Sequence, residues 1–133
     1  MGIRWIRTLL GGFLIEVVLA VVLIGGFALA GVDLANNIST RSAVVIGIGC
    51  FTGAVAVVVA LTRRMPRPTL HGFLMGVVAT VIYVGLILAA GQMPAALAAY
   101  GATTFVIVNG LRIVGAVAGG MMCERSQNVP EVL

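Results

Sequence analysis

The run Arg63-Arg64-Met65-Pro66-Arg67-Pro68 decides how this chain folds. It is the one strongly polar stretch in the interior of the sequence, and it parts two apolar halves of nearly equal length. Its two prolines bar a continuous helix. Three arginines in five residues are costly to carry across a bilayer, so the run is expected on the cytoplasmic face.

The halves on either side are too apolar for a soluble domain. Of 133 residues, 61% are hydrophobic and 9% charged, against about half and about a quarter in soluble proteins. No such composition can supply a water-facing surface. Spans of about 20 apolar residues cross a bilayer as helices, and there is room for two in each half. The expected fold is an all-α membrane protein with four transmembrane helices in a single domain, residues 1–133.

Outward from the pivot, the second span reads from Ser42 to about Thr62 and the third from Leu70 to about Ala90. Gly91-Gln92-Met93-Pro94 makes an outer turn, and the fourth span runs from Ala95 to about Gly119-Gly120. The first span covers about Leu9 to Ala30, with Gly31 to Arg41 as a polar outer loop and Ser126 to Leu133 as a tail. Ala28-Leu29-Ala30 also fits a signal-peptidase site. The apolar run is longer than the usual ~7–15 residues and contains Glu16, which argues for its retention. Arg4, Arg7, Arg63, Arg64, Arg67 and Arg125 fall on one side and Arg41 on the other. Both termini are therefore expected in the cytoplasm, and the plasma membrane, of the bacterial inner-membrane kind, is the expected location.

The two halves resemble one another. Gly12-Phe13-Leu14-Ile15-Glu16-Val17-Val18 aligns with Gly72-Phe73-Leu74-Met75-Gly76-Val77-Val78 at an offset of 60, and Gly31 with Gly91. At an offset of 62, Gly53-Ala54-Val55-Ala56 aligns with Gly115-Ala116-Val117-Ala118. This reads as two tandem helical hairpins, a parallel internal repeat over about 8–64 and 68–125, packed as a pseudo-twofold bundle. Gly72/Gly76, Gly49/Gly53 and Gly115/Gly119 are small-xxx-small pairs suited to close helix packing within the chain or between copies. Gly12 is the counterpart of Gly72.

The positions that break the repeat carry the chemistry. Glu16 stands where the second half has Gly76, and Arg112 stands where the first half has Cys50. Arg112 shares a helix face with Gly115 and with Asn109. At ~1.5 Å per residue, Glu16 and Arg112 should both lie ~8–12 Å below the cytoplasmic interface. An unpaired charge there costs about 2.5–3.5 kcal/mol or more, so the two are expected to pair, with Asn109 taking a remaining hydrogen bond. Such a pair fixes helix register or docks a subunit, or else it makes Glu16 a proton- or cation-responsive carboxylate; the remaining alternative is that Arg112 snorkels to the headgroups and Glu16 sits protonated.

Other chemistry is thinly represented. His71 could share a level with Met65, Met121, Met122 and Cys123, but no ligand spacing such as Cys-x-x-Cys is present, so neither metal nor cofactor is expected. No nucleophile, base and acid share a depth, and no phosphate loop appears, which argues against an enzyme. All eight basic residues are arginines, mostly flanking apolar spans, which is membrane anchoring and not a nucleic-acid surface. Gly11-Gly12-Phe13-Leu14-Ile15-Glu16-Val17 resembles the first helix of small multidrug-resistance transporters, but the third span lacks their Trp-bearing stretch. The expected function is that of a small non-enzymatic membrane protein, a homo-oligomer or an accessory subunit whose partners are the bilayer, itself or other membrane subunits. The alternative is a small proton- or cation-coupled transporter or channel using Glu16.

Overall fold

The structure is a computed structural model that describes residues 2–31 and 39–129. Five helices and no strands are found among them: α1 (Trp5–Leu29), α2 (Thr40–Thr62), α3 (Pro68–Ala89), α4 (Met93–Tyr100) and α5 (Ala102–Gln127). Four of these are long and apolar enough to cross a membrane. At ~1.5 Å per residue they reach ~33–39 Å, more than the ~30 Å of hydrocarbon. Large apolar side chains cover their outer surfaces, Ile6, Val21, Ile24, Leu86 and Val106 among them. In water that surface would aggregate. It suits a small multi-pass integral membrane protein.

The pivot behaves as its prolines require. α2 stops at Thr62, and α3 starts with Pro68 at its first position, where a missing N–H costs nothing. Arg67 before it adopts a left-handed backbone, φ 49°. The turn is tied to α5. Gln127 Nε2 donates to the carbonyls of Arg63 and Met65, and the Thr69 hydroxyl donates to Glu124.

The fourth span differs from its sequence reading. The helix begun by Pro94 ends at Tyr100, and Gly101 breaks the chain with φ 75° and ψ 147°, a conformation nearly restricted to glycine. α4 buries none of its residues, and α5 then runs past Gly120 to Gln127. Gly101→Ala is expected to destabilise the fold by about 1–3 kcal/mol through backbone strain alone. A thermal melt in mild detergent unchanged from the parent would show that the break tolerates a side chain. The segment between α1 and α2, read from the sequence as an outer loop, is described only at its ends, and residues 32–38, Asp33 among them, lie outside the described residues, as do residues 130–133 of the tail.

Around the bundle the order is α1, α2, α5, α3. α5 packs most extensively against α2 and α3, α1 packs against α3 and α2, and the diagonals touch little. Each helix therefore sits beside its counterpart in the other half. A twofold along the membrane normal would place counterparts at opposite corners, so the pseudo-twofold packing read from the repeat is not adopted. The glycines explain the ring. A Cβ on Gly115 would lie 3.0 Å from Phe51 Cα, one on Gly119 2.9 Å from Val55 O, and one on Gly76 2.9 Å from Ile113 Cα. Gly72 lies against the Ala116 carbonyl and Gly12 against Val78, while Gly49 and Gly53 meet only the tips of Leu23 and Leu19. All seven thus face the same chain, and α5, approached from both sides, forms the spine.

Candidate functional site

α1 and α5 stand at opposite corners of the ring, yet Glu16 and Arg112 meet across it. Arg112 Nη1 lies 3.0 Å from Glu16 Oε1, and the two side chains are 6% and 14% exposed. The length of the arginine side chain closes the diagonal that the backbones leave open. Both residues lie near the middle of their helices, α1 starting at Trp5 and α5 continuing to Gln127. The contact is electrostatic more than directional. Neither Glu16 Oε1 nor Arg112 Nη1 and Nε has an aligned hydrogen-bond partner among the described residues.

A second interaction holds the guanidinium. Arg112 Cζ sits 3.9 Å from the centroid of the Tyr83 ring, a cation–π contact. In a desolvated site such a contact is worth about 2 kcal/mol. Tyr83 is fixed in turn by Phe105, which Tyr100 meets edge-on, each with centroids 6.2 Å apart. Sequence reading overlooked this aromatic wall. The available signal was that the only two tyrosines of the chain, polar-tipped and set in apolar surroundings, flank the turn between the third and fourth segments.

Asn109 does not join the pair. Its Nδ2 donates to Phe105 O one turn back at 2.8 Å, and its Oδ1 is buried without a partner among the described residues. An amide inside an apolar helix satisfies itself first on its own backbone. Cys50, fully buried, borders the same cluster from α2.

Glu16, Tyr83 and Arg112 line one end of a cavity of about 500 Å³ between α1, α3 and α5, whose walls are otherwise almost wholly apolar. Gln92 and Tyr100 line it as well, from the side where α3 ends. A second space, about 640 Å³, lies between α1 and α2 around Leu23, Phe27 and Ser42. Nothing lies within 4 Å of where side chains on Gly25 or Gly26 would start. Thus α1 is gripped near Gly11 and Gly12 in its first half and stands loosely toward Leu29.

At the opposite end of the bundle, His71 is a structural pin. Its Nε2 accepts from the Arg4 backbone N–H at 3.3 Å, and Nδ1 lies 3.1 Å from Arg67 O, so Nδ1 carries the proton in this arrangement. One ring thereby joins the start of α1 to the first turn of α3. Met65 and Cys123 are buried, whereas Met121 and Met122 are exposed. No group of three metal-ligating side chains occurs among the described residues.

What the central site can do chemically is narrow. Arginine cannot be deprotonated in a protein, whereas a carboxylate can accept a proton. Glu16 is therefore the member of the pair that is able to change charge, and Arg112 is the fixed cation. No protein-family model matches the chain, and neither a curated protein nor a solved structure matches it.

Proposed function

We propose that this chain is a small non-enzymatic transporter of the bacterial inner membrane, coupled to protons through Glu16. The observation that carries this reading is the placement of the pair. A carboxylate and a guanidinium at mid-helix line a cavity instead of being sealed in a packed core. Intramembrane charges facing a cavity are the usual mark of an ion or proton path. Their cost is warranted there, whereas a register-fixing pair gains nothing from an adjoining void.

The chain has two tandem hairpins with both termini in the cytoplasm. Supporting the repeat, α1 and α3 end alike at an offset of 60. Ala30 and Ala90 have φ/ψ of −79°/−3° and −80°/−2°, and Gly31 and Gly91 follow with φ 68° and 66°. A left-handed glycine is the ordinary stop for a helix, but the same stop at matched positions of both halves is what duplication leaves behind. Supporting the orientation, Arg4, Arg7, Arg63, Arg64, Arg67 and Arg125 gather at the end pinned by His71 and Gln127.

In proteoliposomes carrying a pH gradient and an internal pH dye, the wild type should dissipate the gradient, and Glu16→Gln should reduce the rate at least about tenfold, toward that of empty vesicles. Equal rates for the two proteins would remove Glu16 from the path. A second reading, a homo-oligomer or accessory subunit, is favoured by the open space on both flanks of α1 and by α4, which buries nothing. Any such interface must use these outward faces, because the glycine pairs are turned inward. Wild-type liposomes without flux, together with a larger assembly in detergent extracts, would favour it.

A further inference from the structure

The central cavity has a polar floor and a side door. Phe13, Val17 and Ile24 of α1 and Leu86 of α3 line it and are also exposed on the outside of the bundle, so it opens between α1 and α3 toward the lipid. Its volume of about 500 Å³ lies in the range of small-molecule sites. At its floor, Arg112 is 95% buried, being 5% exposed; its Nε has no partner among the described residues, and Nη1 faces only the Glu16 carboxylate, with which it makes no aligned hydrogen bond. A buried cation with unused donors, at the base of an apolar slot, is built to receive an acceptor with an apolar tail.

We propose that this cavity binds a single-tailed amphiphilic monoanion, of the carboxylate class, entering from the bilayer, with its head on Arg112 while one proton neutralises Glu16. This rests on the reading of Glu16 as the group that takes up the proton. The charge balance selects the ligand. In a low-dielectric site, states of equal net charge interchange at least cost. The resting pair is neutral. A cation taken by Glu16 leaves a bare guanidinium that cannot shed its proton, and an anion alone leaves a net negative site. An anion together with a proton leaves the total at zero. No covalent bond changes other than the O–H formed on Glu16, whose proton comes from water and returns to it when the anion leaves. Tyr83 keeps the guanidinium in place throughout, since the ring contact does not depend on Glu16.

The experiment uses the full chain in zwitterionic nanodiscs and decanoate labelled with ¹³C at the carboxyl, read by NMR, with empty nanodiscs subtracting partition into lipid. Saturable binding, referred to the ionised ligand that the carboxyl ¹³C shift reports at each pH, should strengthen as pH falls from about 9 to about 6. Glu16→Gln should bind at least as tightly as wild type at low pH and lose the pH dependence, a gain that misfolding cannot mimic. Arg112→Gln should weaken binding about tenfold or more, the scale of a charge-assisted hydrogen bond, and Arg112→Lys should recover part of it. Undiminished binding by Arg112→Gln, or competition by decanol as strong as by unlabelled decanoate, overturns the proposal. So does tighter competition by decyltrimethylammonium. Competition by benzoate equal to that by decanoate would overturn entry from the bilayer and assign an aqueous source for the same chemistry. Decanoate binding without proton flux defeats the transport reading and leaves the site standing, while flux without decanoate binding does the reverse.

Discussion

Replacing Arg112 with leucine is expected to destabilise the protein by about 3–5 kcal/mol, the cost of removing one partner from a buried ion pair. The remaining Glu16 carboxylate would face apolar walls without a counter-charge, so it must either stay ionised with its desolvation no longer offset or take up a proton. The second half of the expectation is recovery. Glu16→Leu combined with Arg112→Leu removes both charges, and such replacements in buried pairs are often neutral or stabilising. Denaturation of the four proteins, wild type, both single variants and the double, in mixed micelles gives the coupling energy directly. A coupling near zero would mean that the 3.0 Å contact contributes nothing to the fold. The cycle also bears on function. A double variant that folds better than wild type yet moves no protons would show a pair kept for its chemistry at a cost in stability.

Gly115→Ala should be among the most damaging of the conservative glycine changes, with Gly72→Ala and Gly120→Ala, which also meet backbone. On Gly115 the added carbon would stand 3.0 Å from Phe51 Cα and 3.1 Å from Phe51 C, and backbone cannot turn aside as a side chain can. α2 and α5 must separate, which costs about 1–3 kcal/mol or more. The glycines form their own graded controls. Gly49→Ala meets only Leu23 Cδ2 at 2.8 Å, a flexible tip, so its cost should be smaller. Gly85→Ala and Gly110→Ala meet nothing within 4 Å and should be neutral or stabilising by up to ~1 kcal/mol. Melting temperatures in one detergent, ranked across these variants, test the packing. If Gly110→Ala proved as harmful as Gly115→Ala, close approach of α2 to α5 would not be what holds the bundle.

Much of this architecture was legible because it depends on local chemistry. Pro66 and Pro68 end a helix in any surroundings, and a left-handed glycine after Ala30 or Ala90 stops one. A carboxylate and a guanidinium placed in apolar spans had to find each other or a cavity, and they found both. The break at Gly101 was missed because Gly101 is one of 18 glycines in a chain where most of them lie within helices, so the residue type alone carried no signal. Asn109 was assigned to the pair by spacing along α5, but the nearer carbonyl of Phe105 competed for its amide and won. His71 gave no hint of its role, because its partner is a backbone N–H 67 residues away, and a backbone group has no sequence signature.

By itself, then, the sequence determined how many helices are long and apolar enough to cross a membrane, where the arginine–proline pivot turns and which charges must be sheltered, since each follows from the cost of placing a given residue in hydrocarbon. Which faces meet was decided only in three dimensions. In water an amphipathic stripe would announce the buried face, but lipid is as apolar as a protein interior, and hydrophobicity does not distinguish the two sides of these helices. The side-by-side order of counterparts, the ring of Tyr83 beneath Arg112 and the slot between α1 and α3 come from shape, through backbones approaching where glycine permits and parting where bulk forbids.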